Sequence, residues 1–181
     1  MGLDGVELVV EIEDSFDVVI SDQEALGLIT PGDILELLLQ NKFWKLPQRP
    51  LMQFLFHDLR KAVVAEFGVE SRKVRPKAAI VETLPQFRTK ARRDRVLQGL
   101  ALPRPPEGYS ARLGLRRDFG NFGDLARELL ARNYGELSRR LGCWHAREVW
   151  TCLRHIISTQ LGVKVEKITR DVQLVNDLGL D

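Results

Sequence analysis

A chain of 181 residues has room for one or two small domains, and 44% hydrophobic residues suffice to bury a core. No apolar run reaches the roughly 18 residues that a membrane span needs, no charged start leads into an apolar signal stretch, and two cysteines do not make a disulfide framework, so a cytoplasmic protein without membrane attachment is expected. The net charge of +2 conceals a split. Residues 1–44 hold ten acids and one base, residues 45–145 hold 21 bases and ten acids, and residues 146–181 hold five of each. Such asymmetry speaks about partners rather than fold: the acidic end invites basic surfaces and the basic middle invites acidic ones.

The first predicted helix follows Met1-Gly2. Leu3, Val6, Val9, Val10 and Phe16 recur at helical spacing, with Leu8 and Ile12 widening the apolar face. Position 6 is Val6 rather than the Ser or Thr expected of a myristoylation signal. A short extended stretch and a short helix follow. Thr30 is then a good N-cap, Pro31 suits a first helical position, and Asp33 complements the positive helix end. Ile34, Leu35, Leu37, Leu38 and Leu39 supply the buried side of that helix. Prolines and irregular composition mark linkers at 44–50 and 135–145, and the Pro-rich stretch at 102–109 reads as a loop. In the tail, Val149, Leu153, Ile156, Ile157 and Leu161 line one helix face, and Gly162 stops the helix.

Residues 59–84 and 153–178 align without a gap at a constant offset of 94, with seven of 26 positions identical. Gly68/Gly162 and Lys73/Lys167 are among the identities, and Val74/Ile168 and Ile80/Leu174 keep apolar character. Farther on, NFGDLARELL at 121–130 echoes TPGDILELLL at 30–39, with Gly32/Gly123 and Asp33/Asp124 coinciding. An internal repeat of this kind decides domain organisation.

Joined across the termini, the last and first residues read DLGLD–(M)GLDGVELVVEIEDSF. This resembles the carrier motif of acyl carrier proteins, DLGxDSLDxVELVxxxEExF. Leu178, Gly179 and Asp181 match its first half, and Leu3, Asp4, Val6, Glu7, Leu8, Val9, Glu13 and Phe16 match its second. The resemblance continues through Ile20, Asp22, Glu24, Ala25, Thr30, Gly32 and Asp33, covering residues 1–41 and about 147–181. It implies an all-α protein of two acyl-carrier-protein-like four-helix bundles. Residues 1–43 and 146–181 form one, permuted and built from both chain ends; residues 51–134 form a degenerate second, inserted between them. The first helix is then expected to pack on the tail helix, with Val6, Val9 and Phe16 against Leu153, Ile156, Ile157 or Leu174. Closure within one chain is favoured over a swapped dimer.

The position of the family's modified serine falls on Gly2, flanked by Asp181 and Leu3. Glycine has no hydroxyl to carry a phosphodiester, so no phosphopantetheine is expected. Asp14-Ser15 comes closest to the attachment motif elsewhere, but Phe16 follows it. The acidic helix remains. In the family, its counterpart presents Leu3, Asp4, Val6, Glu7, Val10, Glu13 and Asp14 to basic patches on enzymes. The implied function is an interaction module without an arm, docking to a protein with a basic surface such as a fatty-acid or polyketide enzyme. Two other readings stay open: a genuine carrier whose arm site is supplied elsewhere, and nucleic-acid binding by the middle of the chain.

For the last reading the candidates are Arg88, Lys90, Arg92, Arg93, Arg95, Arg116 and Arg117, a basic patch with few interleaved aromatics and no nucleic-acid motif. A solvated charged helix is the plainer reading. Cys143, His145, Cys152 and His155 cluster in sequence, but Cys143-x-His145 is a poor ligand spacing, and Cys152 is expected to pack inside its helix; no metal site is assigned. No nucleophile–base–acid arrangement and no Gly-rich phosphate loop occurs, so a non-enzyme is expected.

Overall fold

The computed structural model describes residues 2–40, 50–85, 90–103, 120–142 and 144–180. Among these the protein is all-helical: α1 (Leu3–Phe16), α2 (Asp22–Ala25), α3 (Pro31–Gln40), α4 (Leu51–Phe67), α5 (Ile80–Thr83), α6 (Lys90–Leu100), α7 (Phe122–Arg132), α8 (Tyr134–Leu141) and α9 (Ala146–Leu161). Two 3-10 turns add Ser71–Lys73 and Val165–Lys167. The chain divides into a terminal unit, Met1–Gln48 with Ala131–Asp181, and a middle unit, Arg49–Leu130.

In the terminal unit α1 and α3 both pack on α9. The α9 face is the one its spacing predicts: Val149, Leu153, Ile156 and Ile157 are buried, and Gly162 ends the helix at φ +65°, a conformation that costs glycine nothing. The α1 face is rotated from the expected one. Leu8, Ile12 and Phe16 are buried at i, i+4 and i+8, Val9 is half-buried, and Val6 and Val10 are exposed. Val6 is therefore not a core residue of the α1–α9 contact. Thr30 caps α3 as expected: its Oγ1 accepts from Asp33 N at 3.2 Å, and the Asp33 carboxylate accepts from Thr30 N at 2.7 Å.

Helix α8 lies where a linker is expected at 135–145. It packs on α1, and a Cβ on Gly135 would sit 2.3 Å from the Phe16 carbonyl carbon, so only glycine permits this approach. Tyr134, Trp144 and Phe16 form a buried aromatic cluster with ring centroids 5.1–6.0 Å apart. The Tyr134 hydroxyl accepts from His145 N at 2.8 Å and donates to His145 O at 3.3 Å, while Arg139 pairs with Asp17 at 3.1 Å. Eight residues are too few for a reliable period, and Arg139-Arg140 disguise the buried side formed by Tyr134, Leu137 and Ser138.

In the middle unit α4 packs on α6, burying Leu51, Leu55, Leu59 and Val63 of α4 together with Val96 and Leu100 of α6. Its loop after α4 repeats several of the backbone bonds of the loop after α9. Gly68 ends α4 at φ +65°, as Gly162 ends α9. Both 3-10 turns follow, and Val74 and Ile168 are buried behind them. Gly123 N donates to Pro76 O at 2.8 Å where Gly32 N donates to Arg170 O at 2.9 Å. Ile80 N donates to Gly120 O where Leu174 N donates to Ile29 O. Arg60 stacks over Phe56 and bonds Val74 O; Arg154 stacks over Trp150 and bonds Val165 O. The two repeated segments thus share local architecture, each within its own unit.

Candidate functional site

The exposed side of α1 is the strongest candidate. Because Leu8, Ile12 and Phe16 point to the core, the opposite stripe carries Asp4, Val6, Glu7, Val10 and Asp14 to the surface. Val6 is 51% and Val10 48% exposed. Two β-branched apolar side chains among carboxylates offer a small hydrophobic contact inside a negative field, a combination suited to steered association. The helix begins at Gly2, whose extended backbone serves as N-cap without a side-chain bond, and Asp4 lies in its first turn. Glu7 is lightly held, accepting from Gln160 Nε2 at 3.2 Å. The side chain of Leu3 and residue Asp181 lie outside the described residues.

Glu13 differs from the other docking candidates. It is half-buried, and its carboxylate accepts from Ile20 N at 2.7 Å. The Asp17 and Val18 amides bond the Glu13 carbonyl, and Asp17 adopts a left-handed conformation at φ +55°. Glu13 therefore fastens the chain reversal after α1, a duty that sequence spacing does not disclose. Ser15 is buried and donates to Glu11 Oε1 at 3.2 Å. A hydroxyl so placed is closed to an attaching enzyme.

Other exposed apolar residues in the same unit escaped the sequence reading. Leu26 is 77%, Ile29 59% and Val175 60% exposed. Leu174 N bonds the Ile29 carbonyl, which joins the two chain segments that carry Ile29 and Val175. Around Leu26, Ser21 and Glu24 form a reciprocal cap on α2, and the Ser21 hydroxyl and amide hold the Glu24 carboxyl below its ordinary value. A four-residue helix and a turn have no period from which such exposure could be read.

The basic patch is only partly described: Arg88, Arg116, Arg117 and the side chain of Lys90 lie outside the described residues. Arg95 turns to α4 and grips Glu66 with two bonds of 2.9 and 2.7 Å; Arg92 comes within 3.9 Å of the same carboxylate and stacks over Phe67 at 5.5 Å. The Arg95 guanidinium holds the Glu66 carboxyl below its ordinary value. Arg93 is half-buried. Two of the cations thus serve the α4–α6 contact rather than forming a free stripe.

The Cys–His cluster does not assemble. Cys143 lies outside the described residues, while Cys152 is enclosed in α9 with its thiol pushed well up by burial and the nearby Glu148. Tyr134 brackets the backbone of His145, and among the described residues no group of three His, Cys, Asp or Glu could hold a metal. None of the described helices is long and apolar enough to cross a membrane. Comparison with known proteins finds no matching family model, curated protein or solved structure.

Proposed function

We propose that this chain is an acyl-carrier-like interaction module without a phosphopantetheine arm, docking through α1 to a protein partner with a basic surface. The observation that carries the reading is the stripe Asp4, Val6, Glu7, Val10 and Asp14, which keeps two valines at the surface of an acidic helix whose other side fills the core. Leu26, Ile29 and Val175 add further exposed apolar surface to the same unit. The permuted two-bundle organisation belongs to this proposal. Its support is the matched pair of loop anchors, Gly32 on Arg170 in the terminal unit and Gly123 on Pro76 in the middle unit. The absent hydroxyl at Gly2 and the buried hydroxyl of Ser15 support the armless reading. In this reading α1 performs no chemistry; it brings a partner to the unit.

The test uses charge reversal on two exposed carboxylates of the stripe. Asp4→Lys combined with Asp14→Lys, measured by biolayer interferometry against fatty-acid and polyketide enzymes that recognise carriers, is expected to slow association about tenfold or more at low salt. Dissociation changes less, because steering acts before contact. Glu13 is left intact, since losing its bond to Ile20 N would confound the result. Equal association rates for the wild type and the variant at low salt would remove α1 as the interface.

A further inference from the structure

We propose that the middle unit holds a binding site for a small phosphorylated ligand, in the depression between the loop 72–75 and α5. Arg72, Lys73, Arg75, Glu82 and Thr83 line it, an open depression of about 670 Å³. A pocket of a few hundred Å³ accommodates a ligand of nucleotide or sugar-phosphate size. The site is independent of the docking reading of α1.

The repeat supplies the reason to regard these cations as functional. At the matching positions in the terminal unit stand Glu166, Lys167 and Thr169, and Asp171 matches Lys77. Both loops nonetheless share the left-handed glycine, the 3-10 turn, the buried Val74 or Ile168 and the bond from a glycine amide. The backbone therefore does not require Arg72, Arg75 and Lys77, which are replaced in the terminal unit, whereas the lysine is kept. Four exposed cations within six residues repel one another, and among the described residues only Arg72 has an ion-pair partner, Glu70. A like-charge cluster that folding does not need is explained by an anion that neutralises it.

The loop is also held ready. Val74 is buried, and Arg60 Nε donates to its carbonyl at 2.9 Å. Lys73 N donates to Glu70 O at 2.9 Å. Arg75 Nε donates to Arg72 O at 2.8 Å, fixing the guanidinium over the turn while its terminal nitrogens have no partner among the described residues. Such a fork matches phosphate oxygens in pairs, and Lys73 adds a point charge. Thr83 contributes a hydroxyl donor. Glu82 repels phosphate but accepts from N–H or O–H. The lining thus selects a ligand with phosphate at one end and hydroxyl or amino donors at the other, as in a nucleotide or a sugar phosphate.

Isothermal titration of the full chain with ADP and with inorganic pyrophosphate tests the site. Binding of both is expected, with dissociation constants of about 0.1–1 mM for so open a depression. Lys73→Gln, which removes no internal bond, is expected to weaken both probes about tenfold, and Arg75→Gln at least as much. Lys167→Gln, at the matching place in the terminal unit, should leave both unchanged. Glu82→Gln should tighten pyrophosphate and weaken ADP, because it removes repulsion from phosphate and exchanges the charged acceptor at the sugar end for a weaker neutral one. The proposal is overturned if neither probe saturates by about 10 mM, or if Lys167→Gln weakens binding as much as Lys73→Gln. It is equally overturned if a single-stranded RNA oligomer binds and neither probe competes with it.

Discussion

Gly32→Ala concentrates the fold's tightest repeated contact into one methyl group. A Cβ at Gly32 would stand 2.8 Å from the Arg170 carbonyl oxygen, and that oxygen already accepts from Gly32 N at 2.9 Å. The carbonyl cannot retreat from the methyl without lengthening its own hydrogen bond. Overpacking of this kind costs about 1–3 kcal/mol, and weakening the bond costs about 1 kcal/mol more. Alanine recovers about 1 kcal/mol through its better helix propensity and the stiffer unfolded chain. The net loss is about 1–3 kcal/mol, which at a urea slope near 2 kcal/mol/M lowers the midpoint by about 0.5–1.5 M. In a Trp44→Phe background the readout is selective, because Trp144 and Trp150 belong to the terminal unit. Tryptophan fluorescence follows that unit alone, and far-UV circular dichroism follows both. Gly123→Ala meets the same obstacle at Pro76 O, 2.9 Å away, and is expected to lower the dichroism midpoint while sparing the fluorescence transition. An unchanged or raised fluorescence midpoint in Gly32→Ala would refute the close approach. A fluorescence shift of equal size in Gly123→Ala would refute the assignment of the two glycines to separately unfolding units.

Incubation with coenzyme A and a broad-specificity phosphopantetheinyl transferase should leave the intact mass unchanged; a gain of one phosphopantetheine would show an attachment residue other than the one that Gly2 replaces. In a Cys143→Ser background, Cys152 should react with a disulfide reagent at neutral pH only after denaturation, because burial and the Glu148 charge both disfavour its thiolate. Prompt labelling of folded protein would contradict the enclosed α9 face. Glu66 carries a pH signature: its folded carboxyl titrates below its ordinary 4.5, held there first by the Arg95 hydrogen bond. Its contribution to stability is therefore full above about pH 4.5 and is lost as the pH falls through the lowered value. Glu66→Gln should flatten that acid limb in thermal unfolding followed by circular dichroism, and an unaltered acid limb would show that the Arg95–Glu66 pair contributes nothing.

Long amphipathic helices were legible in the sequence because their period states which side is buried. The α9 face, its glycine stop and the Thr30–Asp33 cap follow from residue type and spacing alone. So does the repeat, since a shared loop geometry demands glycine at Gly68 and Gly162 and an apolar plug at Val74 and Ile168. The acidic character of α1 was equally plain. Its rotation was not: with valine, leucine or isoleucine at so many positions, several faces satisfy the period, and packing on α8 and α9 chooses the one that leaves Val6 and Val10 in water. Helix α8 is stabilised by Phe16, more than a hundred residues away in the chain, through a contact only a glycine allows. The carboxylates of Glu13 and Glu66 likewise took their duties from partners brought near by folding. Composition sets what a side chain can do, and the tertiary structure decides which donor or apolar face it meets.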